Sequence, residues 1–116
     1  MEYMLTFAQP QKTLETHEEQ PATLAPWMAY MQQMQQAGVM RGANRLTPPW
    51  TASTVRVRDG QRQVQDGPFA DTKELVGGYV IIDVPSLDEA IKWAALSPSS
   101  LDGCTEVRPV HLQQGR

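Results

Sequence analysis

Asp66 heads the part of this chain best suited to holding a reactive group in a set direction. Gly67 after it can adopt positive φ, and Pro68 has φ held at about −65°, so the backbone bearing the carboxylate is heavily specified. Desolvation there would raise the carboxyl pKa and equip Asp66 as a catalytic general acid or base. The plainer role is structural, because turn aspartates commonly accept hydrogen bonds from nearby amides. Phe69 either contacts a ligand or plugs the core. Lys73 and Glu74 form an ion pair at a pocket mouth, or are exposed charges worth little.

Glu106 and Arg108 stand two apart in an apolar stretch, hence on one face of a strand, with Val107 on the other. Asp83 is an unexpected acid in another such stretch. Facing Arg108, either acid would give a structural ion pair or one wall of a polar cleft, and Arg108 or Lys73 would then orient a ligand. His17 and His111 are the only histidines, and neither has a partner at metal-ligand spacing. No metal site or cofactor is expected. No Ser-His-Asp order or Walker loop is present, and Gly77-Gly78 lacks the surroundings of a dinucleotide fingerprint. Trp27, Met28, Met31 and Met34 either line an apolar pocket or form a core stripe.

The 116 residues suit a single domain, 1–116, with the composition of a soluble globular protein. A net charge of −3 gives no reason to expect nucleic acid. Arg41, Arg45, Arg56, Arg58 and Arg62 are clustered against the single acid Asp59, so they form a solvated hairpin face or attract a small anionic molecule. The single cysteine, Cys104, excludes an intrachain disulfide and reads as a small core residue. The N-terminal residues resemble neither a signal peptide nor a membrane span, so no membrane association is expected and a cytoplasmic location is the default.

Several elements must position these groups. Residues 2–8 alternate as a strand, and 9–20 are polar enough to read as a loop. Leu24, Trp27, Met28, Met31 and Met34 recur at helical spacing from Thr23 to Ala37, with Gly38 as the C-terminal cap. A strand over 39–46 ends at Pro48-Pro49. Thr54–Arg58 turns at Asp59-Gly60 into a return strand through Val64. After the Asp66 turn, closed by Gly77-Gly78, comes the strand Tyr79–Val84. Ser86 and Glu89 form a capping box for a helix with Leu87, Ala90, Ile91 and Ala94 inward, ending before Pro98. The last strand is Thr105–Val110.

This order, β-α-β-(hairpin)-β-α-β, predicts an α+β, ferredoxin-like fold. Two helices cover one face of such a sheet. Tyr79 and Ile81 oppose Val80 and Ile82, and Tyr3, Leu5 and Phe7 oppose Met4, so both faces carry apolar groups. A homodimer, in which a second copy covers the helix-free face, is the physical expectation.

The stretch Asp66-Gly-Pro-Phe-Ala-Asp-Thr-Lys-Glu-Leu-Val-Gly-Gly-Tyr79 resembles the DGPF branch of the YCII-related proteins. Ile82-Asp-Val-Pro-Ser-Leu-Asp-Glu-Ala90 and Glu106-Val-Arg-Pro-Val110 extend the resemblance over nearly the whole chain. It implies a dimeric α+β barrel made by packing two ferredoxin-like sheets face to face. In the other branch a histidine on the first helix and an aspartate have been proposed as a catalytic pair. Counting back from Gly38, the position matching that histidine is Trp27, which leaves Asp66 as the acid. Some relatives are small lyases on chlorinated aromatics, and several DGPF proteins are associated with alternative sigma factors. The resemblance therefore implies either a cofactor-independent enzyme acting on a small polar or anionic molecule, or a non-enzymatic dimer that binds a ligand or a regulatory partner.

Overall fold

Strand β1 (Glu2–Pro10) is the spine of the fold in the computed structural model, which describes residues 1–69 and 72–112. Its odd-numbered side chains from Tyr3 to Gln9 are buried and its even-numbered ones are only partly covered, the period-2 signature of a strand with one core face. It pairs antiparallel with β5 (Glu74–Asp83) on one side and β6 (Cys104–Pro109) on the other. An edge strand, β2 (Met40–Arg45), pairs with β5 and completes the order β2-β5-β1-β6. That order is ferredoxin-like, as the sequence predicts. A separate two-stranded sheet, β3 (Ser53–Arg58) with β4 (Gln61–Asp66), is the predicted hairpin. Asp59 and Gly60 both take positive φ at its tip, as a two-residue hairpin turn requires.

Helices α2 (Ala25–Gln36) and α3 (Leu87–Ala95) cover the Tyr3–Leu5–Phe7 face. Tyr30 and Met34 from α2, and Ala90 and Ala94 from α3, join Leu5, Val80 and Ile82 in the core. Burial pushes the Tyr30 phenol pKa upward, and its hydroxyl donates to the Trp93 carbonyl at 2.7 Å. Ser86 accepts from the Glu89 amide at 3.2 Å and so caps α3 as expected. The opposite sheet face carries Met4, Thr6, Tyr79 and Ile81, all partly covered. It is polar at its margins, where Asp83 meets the Met1 amino group at 2.9 Å and Arg41 at 3.6 Å. The hydrogen bond from the Met1 ammonium is the chief reason that the Asp83 carboxyl lies below the usual range.

Several local expectations are corrected. Residues 9–20 are not a loop: Gln9 and Pro10 extend β1, and Gln11–Glu19 form helix α1. Its only buried side chains are Leu14 and His17, so the helix lacks the apolar stripe by which core helices are recognised. Strand β5 begins at Glu74 and takes in Gly77-Gly78, which therefore do not close the preceding turn. The α2 stripe is rotated from the expected one, burying Tyr30 and leaving Met28 71% exposed. In α3 the small residues Ala90 and Ala94 face the sheet while Leu87 and Ile91 are exposed. Cys104 is an exposed thiol rather than a core residue, and it donates to Glu74 at 3.7 Å. Its pKa is raised by partial desolvation and then by the Glu74 charge.

Between α3 and β6 lies a short helix, α4 (Ser99–Asp102), that the sequence reading did not anticipate. Ser97, Ser99, Ser100 and Thr105 cluster their hydroxyls there, each within hydrogen-bond distance of at least two others. Ser97 and Ser99 are fully buried, and Ser100 also donates to the Ala94 carbonyl at 2.8 Å. No helix among the described residues is long and apolar enough to cross a membrane.

Gly103 joins α4 to β6 so close to β1 that a Cβ would collide with the Ala8 carbonyl oxygen, whereas a Cβ on Gly42 would meet nothing within 4 Å. Gly103→Ala is therefore expected to cost about 1–3 kcal/mol by overpacking. Gly42→Ala should stay within about 0.5 kcal/mol of wild type. Urea melts of the two variants check this pair, and equal midpoints would contradict the tight approach of β6 to β1.

Candidate functional site

A cavity of about 650 Å³ opens on the helical side of the sheet, between α1, α2 and the ends of β1, β2 and β5. Its size is that of a small-molecule site. Gly77 and Gly78 contribute to its wall, where a β-bulge interrupts the β1–β5 register after Phe7. A Cβ at Gly77 would lie 3.0 Å from Leu14 and one at Gly78 3.0 Å from the Asn44 carbonyl oxygen, so glycine permits α1 and β2 to approach β5.

The walls are mostly apolar. Leu14, Leu24, Met28 and Met31 take part, together with Phe7 and Trp27. The Phe7 and Trp27 rings meet edge to face with centroids 4.8 Å apart, and each also meets Tyr30 at 6.0 Å. Such T-shaped contacts hold rings in fixed orientation. Of the stripe from Trp27 to Met34, the first three members line the cavity and Met34 belongs to the core.

Polar side chains, Gln9, His17, Gln32, Gln35, Asn44 and Arg45 among them, complete the lining. Gln9 donates its amide to Asp102 at 3.1 Å, and Thr13 donates to the second oxygen of the same carboxylate at 2.9 Å. Arg45 donates to Glu18 at 2.8 Å, an ion pair open to solvent on both sides. His17 is 8% exposed. No described residue hydrogen-bonds to its imidazole, yet neither ring nitrogen is buried without a partner, so the ring nitrogens remain accessible. Burial first, and then the Arg45 charge, hold its pKa below the ordinary 6.5, while Asp102 and Glu18 pull the other way. At neutral pH this is an uncharged imidazole, able to take a proton.

The candidate acid Asp66 and the ligand-binding candidates Phe69, Lys73, Glu106 and Arg108 lie elsewhere. Asp66 is exposed at the end of β4, and among the described residues nothing donates to its carboxylate. The turn is held instead by the Gly67 amide on the Ala52 carbonyl at 2.7 Å and the Thr54 hydroxyl on the Gly67 carbonyl at 2.8 Å. Phe69 is 76% exposed beside a second, smaller crevice, and Lys73 is exposed. Glu106 and Arg108 do pair, at 3.1 Å, but on the open sheet face. Of the arginine cluster, only Arg45 lines the large cavity.

His17 is the residue that sequence reasoning passed over. Trp27, the position matched to the histidine of the other branch, stands on α2 and lines the same cavity, whereas His17 stands on α1. The available signal was Leu14 and His17 three apart in a run of good helix formers between Pro10 and Pro21. Among the described residues no cluster of His, Cys, Asp or Glu is arranged to hold a metal ion.

The family model of the YCII-related domain matches residues 1–112. An uncharacterized protein of Rhizobium meliloti (strain 1021) is 38% identical over 99 residues, covering 82% of this chain and 78% of that protein. Among solved structures, 5-chloro-2-hydroxyhydroquinone dehydrochlorinase from Burkholderia phenoliruptrix, in complex with 2,5-dihydroxybenzoquinone, superposes with a TM-score of 0.55 at 15% identity. That likeness spans 98% of this chain and 97% of the other, and it shows a shared fold.

The depressed His17 pKa has a thermodynamic consequence. The unfolded chain takes up this proton at higher pH than the folded one, so the stability that neutral His17 confers is full above 6.5 and lost as pH falls through the depressed value. Thermal melts across that range should therefore show a steeper loss on acidification for wild type than for His17→Gln. Equal slopes would mean that the imidazole is not held neutral.

Proposed function

Because the chain belongs to the YCII-related family, we propose that it is a small enzyme that moves a proton on a compact, polar or anionic ring molecule bound in the large cavity. The observation that carries this reading is the accessible, neutral imidazole of His17 in a mostly apolar cavity beside Arg45. His17 takes the proton from a substrate O–H or C–H and becomes an imidazolium, whose charge Asp102 and Glu18 offset. Arg45, already directed by Glu18, pairs with the anion left on the substrate. Phe7, Leu14 and Trp27 keep water from the reacting face and present flat apolar surfaces to a ring. The solved neighbour of this fold holds 2,5-dihydroxybenzoquinone, a molecule of the size this cavity admits. Asp66, outside the cavity, has no part in this chemistry.

Screening small hydroxylated and carboxylated rings by thermal shift identifies the ligand, since a molecule that binds only the folded state raises the melting temperature. With a turned-over ligand, His17→Gln is expected to lower kcat by about 10²–10⁴-fold, the usual worth of a general base. Arg45→Met should chiefly weaken binding. Turnover in wild type should rise with pH and level off once His17 is neutral. Undiminished turnover in His17→Gln would refute the assignment.

The homodimer expected from strand patterning enters here as part of the same proposal. Met4, Tyr79 and Ile81 lie on a sheet face that α2 and α3 leave bare, and the molecule is only 18 Å across its thinnest dimension. A second copy laid against that face supplies the missing layer. Light scattering at roughly micromolar concentration should give the mass of two chains, with a contact above about 1,000 Å² in total. A monomer under those conditions would refute the pairing.

A further inference from the structure

The β3–β4 hairpin is an arm rather than a piece of the body. It shares no strand pairing with the main sheet, and every residue of β4 is exposed. The radius of gyration is 16.0 Å, whereas a compact chain of this length would have about 13 Å. A lone two-stranded ribbon is at best marginally stable in water, yet this one shows solvent its apolar side. Val55 pairs with Val64, and Val57 follows two residues along on the same face opposite Arg62, so the three valines form one stripe with an arginine at its outer end, Val55 exposed by 57%, Val64 by 59% and Val57 by 62%. The other face carries Arg56 and Arg58 opposite Gln63 and Gln61.

A matching hollow lies at the root of the arm. It is a crevice of about 410 Å³ whose lining includes Leu46, Pro48, Pro49, Pro68, Phe69 and Leu75, and none of the three valines enters it. One chain thus displays an apolar ridge and an apolar crevice and fills neither with the other. Charge indicates what fills them. The arm carries Arg56, Arg58 and Arg62 against Asp59 and Asp66, while the whole chain is net −3. A basic arm is attracted to the acidic body of another copy, whereas two arms laid together repel.

We propose that each copy in a homodimer lays its arm across the other, seating the Val55–Val57–Val64 stripe against the crevice beside the partner subunit's Phe69. A two-fold axis makes this exchange twice over with the same surfaces, as an isologous contact requires. The segment from Asp66 to Phe69 then has a definite role. Gly67, at φ 91°, is bonded to Ala52 and Thr54, which sets the angle at which the arm leaves and presents Phe69 at its root. The proposal rests on the homodimer reading above and is independent of the His17 chemistry.

Sedimentation equilibrium tests it on wild type, Val57→Glu, Phe69→Ala and the triple variant Val55→Thr, Val57→Thr, Val64→Thr, with far-UV circular dichroism confirming the fold of each. Threonine keeps the strand preference and removes the apolar surface, so the triple variant decides the matter even where glutamate disturbs the hairpin. Wild type is expected to dimerise, with the Phe69 and triple variants each weakening dimerisation by about tenfold or more. A dimer whose dissociation constant neither variant changes overturns the arm contact while leaving sheet-to-sheet pairing intact. A monomeric wild type overturns both.

Discussion

Everything in this fold hangs on the alternation along β1. The strand is paired on both sides, so its backbone groups are committed to ladders and its register cannot slip without moving every core side chain to the wrong face. Tyr3, Leu5 and Phe7 thereby fix where α2 and α3 dock, and Gln9 carries the same face to α1 and Asp102. The bulge after Phe7 is the one place where the β1–β5 ladder breaks step, and the large cavity opens beside it. A local irregularity in this ladder thus coincides with a cavity that leaves the core filled.

The cavity separates two demands that compete in a small protein. Its aromatic side is built from Phe7 and Trp27, whose edge contacts with each other and with Tyr30 continue into the core, so that wall is as rigid as the core itself. Its charged edge lies where α1 meets the end of the edge strand β2, while α2 adds Gln32 and Gln35 and β1 adds Gln9. Arg45 and Glu18 reach each other across that gap. His17 thus stands on a peripheral helix that buries only Leu14 and His17 itself, outside the cluster that forms the core.

Strand 2–8 is readable from its alternation, and 79–84 from an apolar run broken only by Asp83, of which Tyr79 and Ile81 prove only partly covered. The hairpin was readable because Asp59-Gly60 is chemically suited to two successive positive φ values. Helix α3 was readable from Ser86, whose hydroxyl satisfies a free amide, although its buried side was not: alanines face the sheet because the helix packs close, and the larger Leu87 and Ile91 are displaced outward. The site was the least readable part. Helix α1 lines a cavity and buries only Leu14 and His17, so the hydrophobic period that betrays core helices never arises. The turn with the most conformational punctuation lies elsewhere, at Asp66. That punctuation is real, but Gly67 is held there by backbone and Thr54, with the carboxylate left in solvent.

The hydroxyl cluster beneath α4 has a property that its individual bonds conceal. Ser100 spends its proton on the Ala94 carbonyl, so Ser97, Ser99 and Thr105 have three protons to distribute over more close oxygen pairs than three. Several proton arrangements then satisfy the cluster about equally well, and none satisfies every pair at once. Like ice, it keeps a residual entropy in a place where the heavy atoms are fixed. The junction between α4 and β6 is thus rigid in its oxygens and fluid in its hydrogens, a way of burying polar groups that does not require a single frozen network.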